Sequence, residues 1–233
     1  MSALAGSPIG EDLLDRPDAD PAAVRLSLQN IARANALFGG WSAVRWGLRR
    51  LLEGRASATL TLLDIGTGAG DLPRRAERWA RRRGVRLECF GLERNPTAAS
   101  LAAETSMLTI LGCGSAIPLR DGGVDIVTLS QVAHHLAPDA LATVAREMTR
   151  VARIGVVLAD LRPAAWAGPG YRVAGALLGF DRYTVEDGIT SLRRGYSRES
   201  LAQQLAVAGI TPRIAVRLAP RIIAVWRTDG GRP

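Results

Sequence analysis

The chain has 233 residues, of which 47% are hydrophobic and only 5% aromatic, so a sizeable core must be built mostly from Leu, Val, Ala and Ile. Its formal charge of +8 comes wholly from arginine, since no lysine occurs, and the arginines are scattered among glutamates or grouped in short bursts such as Arg81-Arg82-Arg83. That pattern suits solvated helix faces better than a nucleic-acid footprint, and no apolar run approaches the ~20 residues of a membrane span. The first residues are acidic and lack the apolar segment of a signal peptide, so a cytoplasmic location is expected. Cys89 and Cys113 lie in apolar, strand-like runs, which predicts buried thiols in a reducing compartment rather than a disulfide or metal pair.

Residues 1–21 carry Gly, Pro, Asp and Ala without periodicity and read as a mobile arm. Asp20 can cap a helix that Pro21 opens, with Val24, Leu28, Ile31 and Phe38 on one face and Gly39-Gly40 as its break. A second helix follows from Ser42, with Val44, Leu48, Leu51 and Leu52 apolar. Residues 22–57 therefore form a helical cap, long enough to cover a pocket or simply to pack on a sheet. Phe38, Trp41 and Trp46 read as packing residues.

A short strand, Leu60 to Asp64, then runs into Ile65-Gly66-Thr67-Gly68-Ala69-Gly70-Asp71, a glycine-rich turn opening a helix at Asp71. Such a turn brings backbone N–H groups and the positive end of a helix dipole to a ligand. A P-loop would need Gly-Lys-Ser/Thr, which is absent, and a dinucleotide turn would place glycine where Asp71 stands. A carboxylate at Asp64 repels a pyrophosphate but favours a sulfonium and an ammonium.

The helix from Asp71 ends at Gly84, and a second strand, Val85 to Leu92, ends in Glu93, 23 residues beyond Gly70. An acid in that place can accept both hydroxyl protons of a ribose. A helix over Thr97 to Glu104, a third strand near Met107 to Gly112, and a fourth from Gly123 to Ser130 follow. Ser130 leads into Gln131-Val132-Ala133-His134-His135-Leu136. A helix from Pro138 to Ala152 precedes the fifth strand, Gly155 to Ala159, which ends at Asp160. Strands alternating with helical crossovers predict an α/β, doubly wound, mostly parallel sheet.

Residues 161–197 interrupt that rhythm with two prolines, several glycines and an apolar stretch from Val173 to Phe180. A segment of this length between core elements reads as a lid or acceptor-binding insertion. Ser197 and Ser200 can cap a last helix, after which Ile214 to Leu218 and Ile222 to Trp226 are expected to form a hairpin around Ala219-Pro220. The tail, 228–233, should fray.

The D-x-G-x-G-x-G run from Asp64 to Gly70, with Glu93 and the His134-His135-Leu136 sequence, resembles class I S-adenosylmethionine (SAM) methyltransferases over residues 58–227. It is closest to the branch that methylates quinones and phenolic small molecules. The resemblance implies a seven-stranded, Rossmann-like methyltransferase fold. It also implies SAM as cofactor, S-adenosylhomocysteine (SAH) as product, and no metal. Asp64, Gly66 and Gly68 would hold the methionine end and Glu93 the ribose, with Thr67, Asp71 and Arg94 as further cofactor-binding residues. Ser115 and Ala116 would flank the adenine, with Ser115 standing where the family carries Asp, and Ser130 would border the sulfonium.

A phenol gains nucleophilicity from a positioned base, and the chain's two histidines stand together after the fourth strand, so His134 and His135 are the candidate catalytic residues. Asp160 and Arg162 are further candidates at the end of the fifth strand. The expected reaction is O-methylation of a small aromatic, phenolic or polyketide-derived acceptor. Ring C-methylation of a quinone precursor, RNA methylation and non-catalytic SAM binding are the alternatives. Against RNA, Ser130-Gln131-Val132-Ala133 is not the Asn/Asp-Pro-Pro-Tyr/Phe motif of many amino-group nucleic-acid methylases.

Overall fold

The computed structural model describes residues 14, 19–217 and 219–229, apart from the side chain at position 183. Most of the arm, the last residue assigned to the strand from Ile214 to Leu218, and positions 230–233 of the tail lie outside the described residues.

Asp20 accepts a hydrogen bond from Ala22 N and starts helix α1, Pro21–Leu37, with Pro21 in the first turn. The glycine pair turns the chain rather than ending the helical region. Gly39 adopts φ 81°, and α2, Gly40–Leu51, begins directly after it, two residues earlier than expected. Gly47 on α2 lies so close to strand β5 (Ala152–Leu161) that an added Cβ would stand 2.4 Å from Val157 Cγ1. The missing side chain lets this helix bed on the sheet.

The alternation continues as β1 (Thr59–Ile65), α3 (Asp71–Arg81), β2 (Arg86–Glu93), α4 (Pro96–Ala103), β3 (Thr109–Leu111) and β4 (Val124–Ser130). A 3-10 turn, Ala133–His135, and α5, Pro138–Val151, lead to β5. The strands assemble in the order β3-β2-β1-β4-β5-β7-β6, where β6 is Arg213–Arg217 and β7 is Arg221–Arg227. The first five pair in parallel, and β7 runs antiparallel to both its neighbours. The expected hairpin is therefore present. It places β7 inside the sheet and β6 at the edge, where exposed Arg213 and Arg217 discourage edge pairing.

Each sheet face has its own helical cover. Leu141, Val144 and Met148 of α5 and Leu201 and Leu205 of α8 (Arg198–Val207) pack on one face. Val44, Leu48 and Leu51 of α2 and Leu72 and Ala76 of α3 pack on the other. Helix α1 lies instead on α4, through Val24, Leu28, Ala98 and Leu101. The break between β5 and α8 folds into two helices, α6 (Ala167–Leu178) and α7 (Arg182–Arg194). Asp181 caps α7, and Ser197 and Ser200 form a reciprocal capping box at α8. The apolar stretch from Val173 faces partly outward, with Val173 and Leu177 64% and 83% exposed.

Candidate active site

The carboxyl ends of β1, β2, β4 and β5 open into a cavity of about 860 Å³, roofed by α1, α6 and α7. Sheets of this kind place ligands at strand carboxyl ends, beside the point where strand order reverses. Here that point lies between β1 and β4.

The turn after β1 is built around three glycines in left-handed backbone, Gly66 (φ 65°), Gly68 (φ 54°) and Gly70 (φ 72°). A Cβ on Gly66 would stand 2.6 Å from Val132 Cγ2, so that position is closed to a side chain by both conformation and space. Asp64 is buried at the strand's end and accepts from the hydroxyls of Thr67 and Thr128. Burial pushes its carboxyl up to about 7, against the pull of those two hydrogen bonds. A cation entering the cavity would reverse that shift. Glu93 Oε2 accepts from Gly68 N at 2.9 Å, and Oε1 accepts from Arg94 N and Asn95 N. A carboxylate offers about four acceptor sites, so these bonds leave Glu93 room for a ligand hydroxyl.

The tip of β4 supplies two further features. Ser130 Oγ is buried and has no hydrogen-bond partner among the described residues. Gln131 adopts φ 57°, an uncommon conformation for a non-glycine residue, at a cost of about 1–3 kcal/mol. Its backbone N–H bonds to Ala159 O, and its amide joins a polar chain. Arg221 Nη1 donates to Gln131 Oε1 at 2.6 Å, Gln131 Nε2 donates to Asn35 Oδ1, and Asn35 Nδ2 reaches Asp71 Oδ2 at 3.3 Å. Burial raises the Asp71 carboxyl, opposed by the Asn35 bond and by Arg75 and Arg74.

Beyond β4, the 3-10 turn sets both histidines in the cavity wall with ring centroids 4.0 Å apart. The Tyr196 hydroxyl fixes the turn by donating to Ala133 O at 2.9 Å. His134 Nδ1 lies 2.6 Å from Asp160 Oδ1, while Asp160 Oδ2 accepts from His134 N and Oδ1 also accepts from Leu161 N. Burial pushes the Asp160 carboxyl up, but His134 and the Leu161 N–H outweigh it and hold it below the usual carboxylate range. A carboxylate so held takes the proton-bearing Nδ1 and leaves Nε2 as the lone-pair nitrogen. Nε2 is buried and unpartnered among the described residues.

Residues 63–159 match the methyltransferase domain family. Two curated relatives, both uncharacterised methyltransferases, are 35% identical over 137 residues in Mycobacterium sp. (strain JLS) and 32% identical over 158 residues in Mycolicibacterium gilvum (strain PYR-GCK). The matches cover 55% and 60% of this chain and 51% and 56% of the relatives, so the chain spans about half the length of the curated relatives it matches. A SAM-dependent methyltransferase structure from Aquifex aeolicus superposes with TM-score 0.62 at 17% identity, covering 90% of this chain and 98% of that one. Magnesium protoporphyrin IX methyltransferase from Synechocystis PCC 6803, solved with bound SAM, superposes with TM-score 0.58 at 11% identity, over 95% and 99% of the chains.

The chain has the fold of class I SAM-dependent methyltransferases, and its residues 63–159 resemble the methyltransferase domain family.

Within this fold, the structure brings Asp64, Gly66, Thr67, Gly68, Asp71, Glu93, Arg94, Ser130, His134 and His135 to one cavity. Ser115 and Ala116 do not line it. Gly112, Cys113 and Gly114 do, and the Ser115 hydroxyl lies 3.1 Å from Cys113 Sγ. The two cysteines are free thiols, as expected, but only partly buried. Arg162 also lies off the cavity wall. Phe38, read as packing, is part of that wall and meets Tyr171 edge-on at 5.6 Å. Asn35, Gln131 and Arg221 were not read as site residues. A polar residue at 35 in the apolar face of a helix, and an arginine opening an otherwise apolar strand at 221, were the available signals. The buried Asp64, the orphaned Ser130 hydroxyl and the closed glycine turn fit a cationic, polar cofactor.

Proposed function

We propose that this chain binds SAM and transfers its methyl group to the hydroxyl oxygen of a small phenolic acceptor. The observation that carries the reading is His134 Nε2, a buried ring nitrogen without a hydrogen-bond partner among the described residues, in the wall of the cavity that also holds Asp64 and Glu93.

When bound, SAM supplies a methyl group activated by its sulfonium, so the protein contributes alignment and a base. Asp64 offers a carboxylate to the cofactor's ammonium, Glu93 accepts from the ribose hydroxyls, and the glycine turn lets the ligand approach the backbone. His134 Nε2 accepts the phenol proton as the oxygen takes the methyl. The positive charge then on the ring is stabilised by Asp160, whose position fixes both tautomer and orientation. Holding the reactants in line is worth ~7–11 kcal/mol, and a positioned base adds about 10²–10⁴ in rate. Apolar side chains of α1 and α6, with Phe38 and Tyr171, suit an aromatic acceptor. The role of residues 161–197 in this account is to cover the acceptor.

Calorimetric titration with SAH tests the cofactor half. Micromolar binding that is weakened in Asp64→Ala supports the reading. The absence of heat in both proteins rejects it.

A further inference from the structure

Arg221 opens β7, is 4% exposed, and lines the cavity. Its two hydrogen bonds both go to uncharged oxygens, Nε to Phe38 O at 3.1 Å and Nη1 to Gln131 Oε1 at 2.6 Å. Nη2 has no hydrogen bond among the described residues. Asp160, the acid whose charge acts on Arg221, is engaged by His134 and by backbone N–H groups. A buried guanidinium with no carboxylate of its own is costly, and such a group is retained where a ligand completes it. Burial lowers its pKa to about 10, so the group stays charged at neutral pH.

Its position decides which ligand. Asp64 and Glu93 stand on β1 and β2, whereas β7 lies three strands along from β1, about 14 Å at the ~4.8 Å strand spacing. Arg221 pairs with Leu161 in the ladder, next to Asp160, the partner of His134. Tyr171 of α6 lies near enough to feel its charge. The Arg221 backbone thus lies beside the partner of the candidate base, while its guanidinium reaches across the cavity to Gln131 at the tip of β4.

We infer that Arg221 is a specificity residue that receives a carboxylate of the acceptor, so that the favoured acceptors are aromatic hydroxy acids rather than neutral phenols. The inference deepens the phenolic reading above and rests on it. The planar guanidinium gives the carboxylate a charge-assisted, directional contact while His134 Nε2 meets the hydroxyl.

The test measures binding to the SAH-saturated protein, using 2-, 3- and 4-hydroxybenzoate, each against its neutral hydroxybenzamide. In the wild type at least one acid should bind about tenfold tighter than its amide, the scale of one charge-assisted hydrogen bond. Arg221→Gln should abolish that preference with SAH affinity retained, and Arg221→Lys should keep part of it. Equal binding of every acid and amide by the wild type overturns the inference without needing any variant to fold. So does an Arg221→Gln protein that keeps the preference. A loss of SAH affinity in Arg221→Gln, with the preference intact, assigns the guanidinium to the cofactor and overturns it too. Acid preference without methylation of any phenol would reject the transfer reading alone, and methylation without acid preference would reject this inference alone.

Discussion

His134 Nδ1 lies 2.6 Å from Asp160 Oδ1, with 2% and 0% of the two side chains exposed. The contact joins the turn after β4 to the end of β5, and the same carboxylate accepts two backbone N–H groups. Asp160 therefore both anchors the turn and sets the histidine's tautomer. Replacing it with Asn puts an amide opposite Nδ1, which can donate and leave Nε2 carrying the proton. Asp160→Asn should lower kcat by about 10²–10⁴ with a smaller change in the Kd for SAH. His134→Gln should do the same. Steady-state kinetics beside calorimetry checks both, and unchanged kcat in either removes the base assignment.

The same pair has a signature in acid. The folded-state pKa of Asp160 is held below its unfolded value, so the unfolded chain binds more protons as pH falls. The stabilisation is complete above about pH 4 and is lost as pH drops through the folded value. Denaturant melts between pH 5 and pH 3 should show the wild type losing more stability than Asp160→Asn. Parallel losses would contradict the stabilising role of the Asp160 carboxylate.

Asp64 behaves oppositely. Its folded pKa is raised to about 7, so its contribution to stability is full below the ordinary carboxylate value and lost as pH rises through about 7. Apo Asp64→Asn should therefore melt higher than wild type at pH 8, by about 2–4 °C for each kcal/mol relieved. A cationic cofactor needs the ionised form, so SAM affinity should fall as pH drops below about 7. Asp64→Asn should bind SAM about tenfold or more weakly, the worth of a charged hydrogen bond. Titrations in buffers of different ionisation enthalpy should report proton release on binding.

Gly66 meets two demands at once, φ 65° and a Val132 methyl where its Cβ would go. Gly66→Ala should cost about 1–2 kcal/mol from the left-handed backbone, with a further steric loss. Adding Val132→Ala should recover only the steric part. Thermal melts of the two single variants and the double one separate the contributions.

Helix α1 is clasped to α7 by Asn30, whose Nδ2 donates to Asp181 Oδ2 at 3.1 Å and Thr184 Oγ1 at 3.2 Å. Asn30→Ala should destabilise the protein by about 1–3 kcal/mol, as buried Thr184 and partly buried Asp181 each lose one donor. Hydrogen exchange should rise in α6 and α7 before it rises in the sheet.

Much of this was legible in the residues. Apolar strand runs, the glycines from Gly66 to Gly70, and Glu93 at its interval specify local structure, so β1, β2 and the turn between β1 and α3 could be located. The edge of β3 and the long β5 extended differently because pairing with neighbours, not local pattern, sets strand ends. Two features were illegible, each for its own reason. The chain Asp71, Asn35, Gln131, Arg221 joins four distant segments, and the local signals at 35 and 221 do not say that these residues meet in the fold. Helix α6 was hidden because Val173 and Leu177 face outward, so the apolar stretch there carried no amphipathic period.

The central claim is methyl transfer to a phenolic oxygen, and the most direct measurement uses SAM with a deuterated methyl group. The protein is incubated with a panel of phenols, hydroxybenzoates and quinols, and products are read by mass spectrometry and NMR. The account predicts a deuteromethyl aryl ether, formed by the wild type and nearly lost in His134→Gln. A deuteromethyl group on ring carbon, or no methylated product from any acceptor by a protein that binds SAH, would contradict it.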